Sequence, residues 1–291
     1  MVLGAIVLVS LALAGVLRYT EHTAAESRLA SQQFQARMIA ESGIALGTHP
    51  NVKPTDPVLH QELPGGYRLD VTATSEQGRI FINKVTTAAF RDGLEELFLT
   101  WGLNADQAAI AADSLKDWVD TDDDPGTRGA ENAFYAAAGF EDYPVNGSFT
   151  SLETMLLVRG MDEVAKHKPD WRSYFTLYGD GQLDANAAPA DVIHAFAGIP
   201  LSNAELFVST RNGPDGVLGT QDDQIYEASN ANAAVQLLGI PQERIREVGQ
   251  IFTLQGTAKR IESRATVGDL TYSLIVISDR TSGSVLARRR R

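Results

Sequence analysis

The first 17 residues, MVLGAIVLVSLALAGVL, carry no charge and run unbroken into RYTEHTAAESRLASQQFQARMIAESGIALG. No residue there stops a helix before the stretch from Gly43 to Pro50, so the pattern predicts one continuous helix of more than 40 residues, apolar in its first part and amphipathic in its second. At about 1.5 Å rise per residue the uncharged run spans roughly 25 Å, slightly less than a hydrocarbon core of about 30 Å. It is a marginal membrane span. Small residues between Leu11 and Gly15 resemble a signal-peptide cleavage region, but a basic start is missing and no breaker separates the run from the helix that follows. The expectation is a single-pass anchor continuous with a stalk.

Beyond the stalk, GYRLDVTATS, ending at Ser75, and GRIFINKVTT, Gly78 to Thr87, alternate with β-branched residues and are expected to pair as a hairpin across the short turn EQG. From about Phe90 the pattern turns helical and stays mostly so to about Glu247, and strand signals return in GQIFTLQGTAKR, RIESRATVG and LTYSLIVISDR. Strands that flank a long insertion can still pair with one another. The expected fold is therefore α+β. A stalk helix (1–48) packs on a small antiparallel sheet formed by residues 49–89 and 248–291, and a large, mainly helical domain (90–247) is inserted between the strands. A hydrophobic content of 44% supports a real core.

The segment LDANAAPADVIHAFAGIP, Leu183 to Pro200, has the turn, short amphipathic helix and terminating Gly of half a helix-hairpin-helix element. A membrane-tethered DNA-binding protein is one reading of it. The net charge of −12 opposes that reading, because affinity for phosphates comes from Lys and Arg, and Ile199 to Glu205 contains neither. The basic tail Ala287 to Arg291 reads as a solvated end. No nucleic-acid partner is expected. There is no cysteine for a disulfide, a thiol nucleophile or a thiolate metal site. His22, His49, His60, His167 and His194 are dispersed, without hydrolase or phosphate-binding motifs around them, so no catalytic activity is expected.

Acidic loops carry the strongest chemical signal. DWVDTDDDPGTRGAE places Asp117, Asp120, Asp122, Asp123 and Asp124 within eight residues, with Glu131 close behind. Such crowding is repulsive unless solvent or a hard cation screens it, and Ca²⁺ takes six to eight oxygens from flexible loops of this kind. In TRNGPDGVLGTQDDQIYE, Asn212, Asp215, Asp222 and Asp223 are spaced around Gly213, Gly216 and Gly219, which permit the positive φ needed to wrap oxygens about one centre. GDGQLDAN adds Asp180, Asp184 and Asn186 as a third oxygen-rich loop. The candidate calcium ligands are Asp117, Asp120, Asp122, Asp124 and Glu131 in one loop and Asn212, Asp215, Asp222 and Asp223 in the other. A calcium-dependent anchored adhesin is a further reading of these loops.

The stalk ending in AESGIAL, the early strands, the acidic DWVDTDDDPGTRGAENAFYAAAG, the later LDANAAPADVIHAFAGI and the closing strands resemble, in that order, the type II secretion system minor pseudopilin K family, also called general secretion pathway protein K. The resemblance implies a pilin-like inner-membrane subunit with its globular part in the periplasm. It also implies a structural role at the pseudopilus tip, with the minor pseudopilins I and J as partners, in protein export across the outer membrane. No basic residue precedes Arg18, where that family carries a basic leader, and no acidic residue precedes Glu21. The second feature agrees with the family, which lacks the intramembrane carboxylate of other pilins.

Overall fold

The computed structural model describes the backbone over residues 2–290 and, within the first helix, all side chains except those of residues 2–9 and 12. In chain order the elements are α1 (Val2–Thr48), β1 (His60–Leu63), β2 (Tyr67–Ser75), β3 (Ile80–Phe81), α2 (Ala88–Thr100), α3 (Ala105–Val119), α4 (Asn132–Ala137) and α5 (Met161–His167). They continue as β4 (Phe175–Thr176), β5 (Leu183–Asp184), α6 (Ala190–Ala197), α7 (Leu201–Arg211), α8 (Ala231–Leu238), α9 (Ile245–Ile251), β6 (Phe252–Thr253), β7 (Ala258–Val267), β8 (Leu270–Asp279) and β9 (Val285–Arg290). The class is α+β. The apolar run expected to enter a membrane, Met1 to Leu17, lies largely outside the described side chains. Among the described residues, no helix is long and apolar enough to cross a membrane.

The chain divides into two units. The first comprises Met1–Thr72, Ile261–Val276 and Arg288–Arg291. Ala36, Ala40, Gly43 and Gly47 recur along α1 at steps of four, three and four, and all are buried, which puts a stripe of minimal side chains on one helix face. That stripe lets the α1 backbone approach the sheet closely. A Cβ at Gly43 would overlap Ser263 Oγ and lie 2.8 Å from both Leu69 Cδ1 and Val71 Cγ2, and one at Gly47 would lie 2.5 Å from Ile261 Cγ2. Farther along, Ala40 packs with Ala265, Leu274 and Val276. Gly43→Leu is expected to lower the stability of this unit by about 2 kcal/mol through overpacking, read as an earlier denaturant midpoint. A change within 0.5 kcal/mol, roughly the range of ordinary surface substitutions, would refute the close packing.

The sheet runs in the order β1-β2-β7-β8-β9. β1 and β2 are antiparallel, with His60 opposite Asp70 and Leu63 opposite Tyr67, and their turn uses Gly65 and Gly66 at φ of 89° and 76°. This pairing replaces the hairpin expected between Gly65–Ser75 and Gly78–Thr87. After Ser75 the chain buries Glu76 and Gln77 instead of turning back. Ile80 and Phe81 form a short parallel bridge to Phe175 and Thr176. Ile82 then begins a 3-10 turn, and Ile80, Ile82 and Val85 all join the helical core. Their β-branched character, read as a strand, serves core packing here.

The second unit comprises Ala73–Arg260 and Ile277–Ala287. α2 packs on α3 and α6. The contact with α6 is close, since a Cβ at Gly93 would lie 2.6 Å from the Phe196 ring, and Phe90 meets the same ring edge-on at 5.4 Å. Thr87 caps α2 by accepting from Phe90 N, and Asn104 with Gln107 forms a capping box on α3, so each N-terminus has a side-chain acceptor for part of its free N–H groups. The well-placed α3 carries the acidic segment at its C-terminal end.

Candidate cation site

Two carboxylates on α3 hold the acidic loop in shape. Asp117 is fully buried and accepts hydrogen bonds from Gly126 N at 3.0 Å and Ala130 N at 2.9 Å. Burial pushes its pKa up, against those two N–H groups. Asp113 accepts from Arg128 N at 2.8 Å and pairs with Arg91. These bonds curl residues 126–130 back over the helix end and set Glu131 against it.

The curl brings Asp120, Asp122 and Glu131 together, each offering an oxygen within 4.8 Å of the others. Glu131 is 4% exposed, and neither of its oxygens has a hydrogen-bond partner. Burial, and then the charges of Asp117, Asp120, Asp123 and Asp122, push its pKa up to about 7. Asp120 gives Oδ2 to Lys116 at 2.9 Å and keeps a buried, unpartnered Oδ1. Orphaned buried oxygens facing a shared space are the chemistry of a hard-cation site. Of the other expected ligands in this loop, Asp117 is committed to the loop backbone, and Asp124 meets the cluster through its N–H, which donates to Asp122 Oδ1 at 3.1 Å.

The second expected loop is held by its own backbone. Asp222 Oδ2 accepts from Asp215 N at 3.1 Å, Asp215 Oδ1 from Val217 N at 2.7 Å and Asp223 Oδ2 from Gly219 N at 2.5 Å. Asn212 donates to the Gly216 carbonyl at 3.3 Å. Asp223 Oδ1 alone is left buried and unpartnered, and among the described residues these carboxylates do not converge as Asp120, Asp122 and Glu131 do. The third loop is also consumed internally. Asp180 accepts from Gln77 and Gln182, Asp184 from Asn186 N and Gly256 N, and the Asn186 amide bridges the Tyr226 and Leu254 carbonyls at 2.7 Å each.

The segment that resembled half a DNA-binding hairpin forms α6, a Gly198-Ile199-Pro200 link and α7. A second such link, Gly239-Ile240-Pro241, follows α8 and leads through a 3-10 turn into α9. Gly198 and Gly239 both end their helices in the left-handed region, at φ of 59° and 67°. The repeated Gly-Ile-Pro was the signal for this pairing, and sequence reasoning passed over its second copy. The first link also has a basic neighbour that adjacent sequence does not show. Arg244 donates to the Gly198 carbonyl at 3.0 Å and pairs with Glu247 at 3.3 Å. Both of those partners belong to the chain's own fold.

In the first unit a long helix lies by its small-residue face on an antiparallel sheet, and in sequence the helices α2 to α9 fall between β2 and β7. Residues 68–168 match the family model for the type II secretion system (T2SS) protein K. The fold is similar to a chain in the crystal structure of the GspK-GspI-GspJ complex from the enterotoxigenic Escherichia coli type 2 secretion system. The TM-score is 0.65 and the identity 17%, over 91% of this chain and 99% of that one, a likeness of fold. No curated protein matches the chain by sequence. Residues 68–168 thus carry the sequence of a type II secretion protein K domain, and the fold around them is one that a solved complex of that system also contains.

Proposed function

We propose that this chain is a type II secretion minor pseudopilin of the protein K type and the tip subunit of its pseudopilus, held in the inner membrane by its N-terminal helix, with its globular units in the periplasm. Its partners there are minor pseudopilins of the I and J types. The observation that carries this reading is the fold shared with a chain solved together with GspI and GspJ. The stalk supports it from a second side. Phe34 and Met38 project from α1 at 65% and 48% exposure, on the face turned away from the Ala36-Ala40-Gly43-Gly47 stripe, since 100° per residue places them half a turn from it. One helix face is used by the subunit's own sheet and the other is left to a neighbouring stalk. Co-purification of the full chain with its I- and J-type partners is expected to give a stable complex, and Phe34→Glu with Met38→Glu to weaken it at least about 10-fold. Absence of any complex with the unaltered chain would sink the tip assignment.

The same proposal includes calcium at Asp120, Asp122 and Glu131, where it would neutralise three carboxylates that now face one another. Calcium at 100-fold its Kd is expected to stabilise the protein by about 3 kcal/mol, seen as a rise of several degrees in unfolding temperature. An unchanged midpoint at millimolar calcium would remove the site.

The pH dependence follows from Glu131, whose pKa rises from 4.5 unfolded to about 7 folded. The folded chain therefore holds an extra proton between those values. In calcium-free buffer this contribution to stability is fully present below about 4.5 and is lost as pH rises through about 7. Because calcium must displace that proton, its stabilising effect should be larger at pH 8 than at pH 6. Glu131→Gln is expected to flatten this part of the pH profile and abolish the calcium effect together. A variant that retained either one would contradict the assignment.

A further inference from the structure

We infer that the free edge of β9 takes an extended, acidic segment of a partner protein as an added strand. β9 stands at the end of the five-stranded sheet, bonded to β8 on one side, so its other side presents backbone N–H and C=O groups with no neighbouring strand. Its 6 residues are an ordinary strand length, enough for a ladder. All of them except Ala287 are exposed, Val285 at 61% and Leu286 at 42%. An edge strand of this length with apolar residues on it is a pairing site unless something guards it.

Charged side chains are the usual guard, and Arg288, Arg289 and Arg290 are the candidates here. Two of them turn back onto the chain's own residues. Arg288 pairs with Glu41 of α1, and the Arg290 guanidinium lies 4.8 Å from the centre of the Tyr272 ring on β8. Alternate residues of a strand share a face, so Arg288 and Arg290 lean to the α1 side of the sheet and Arg289 to the other. Among the described residues Arg289 has no ion-pair partner. Its charge is left for a neighbour.

That charge selects the partner. β9 carries three arginines and no acid in a chain whose net charge is −12. The β9 of a second copy would set arginine against arginine, and like charges directly opposite destabilise a strand pair, whereas opposite charges stabilise it. A lipid surface is the other anionic partner to weigh. Glu41, which holds Arg288, lies about 36 Å along α1 from Leu17 at about 1.5 Å per residue. The end of the apolar run is thus several Debye lengths of about 8 Å away. An extended peptide can use both the arginines and the open backbone edge, and lipid headgroups can use only the first.

The test titrates the purified full chain, in detergent, into a short fluorescent peptide that alternates Thr with Glu, followed by anisotropy. Binding is expected, and is expected to weaken at least about 10-fold when Lys replaces Glu in the peptide. Arg289→Glu should weaken it as much while leaving the unfolding temperature unchanged, because that side chain is exposed. Two further peptides carry N-methyl groups on the Thr set or on the Glu set. A strand bonds to one neighbour through alternate residues only, so one of these peptides should lose binding and the other keep it. Equal binding by both would show attraction by charge without an added strand and would overturn the inference. So would failure of the Glu peptide to bind the unaltered chain. If that peptide failed while phosphatidylglycerol vesicles held the unaltered chain more tightly than Arg289→Glu, the arginines would belong to a lipid surface instead.

Discussion

Gln77→Ala is expected to destabilise the helical unit by about 4 kcal/mol, because this one amide ties together two segments far from it in the chain. Gln77 is fully buried. Its Nε2 donates to Asp180 Oδ1 at 2.6 Å and to the Gln182 carbonyl at 2.9 Å, while its Oε1 accepts from Thr257 N, Thr257 Oγ1 and Ala258 N at 2.5, 2.9 and 3.0 Å. Truncation leaves those N–H groups and the Asp180 carboxylate short of partners in a space no longer filled. The neighbourhood cannot collapse to compensate, since Gly256 is already so close that a Cβ there would overlap Ser75 Oγ. Gln182→Ala, which removes only long 3.3 Å bonds to the Gly249 and Gln250 carbonyls, should cost under about 1 kcal/mol. Equal losses in the two variants, measured by urea denaturation, would show that Gln77 is not the tie it looks to be.

Gly129→Ala should cost about 3 kcal/mol and abolish calcium binding as well. The added Cβ would overlap Asp117 Oδ2 and stand 2.7 Å from Asp117 Cγ. That carboxylate cannot step aside without dropping its bonds to Gly126 N and Ala130 N, and a buried carboxylate deprived of its donors is costly. The same bonds deliver Glu131 to the cluster, so stability and cation affinity should fall together. Gly139→Ala is a useful comparison, because its Cβ would meet nothing within 4 Å although its φ is 88°. It should lose about 1 kcal/mol from backbone strain and leave calcium binding intact.

Local pattern and long-range packing contributed differently to what could be read in advance. The stalk was legible because helical periodicity and the lack of breakers are local properties. The acidic loop was legible because five aspartates and a glutamate so close in sequence cannot lie far apart in space. Which of them face one another was not legible. Asp117 and Asp120 look alike in DWVDTDDD, but Gly126 and Ala130 N–H groups take the first while Lys116 takes only one oxygen of the second.

By itself, the sequence determined a long stalk helix, flanking strands around a helical insertion, an acidic loop rich in oxygen ligands and the features that resembled protein K. All of these depend on residues near one another in the chain. Tertiary structure alone decided that β2 pairs with β1 and not with the segment after Gly78, because Glu76 and Gln77 find buried partners about 100 and 180 residues away. It also decided that Glu131, Asp120 and Asp122 converge while the Asp215–Asp223 loop closes on its own N–H groups. A carboxylate's role depends on which donor reaches it first, and that is a property of the folded chain.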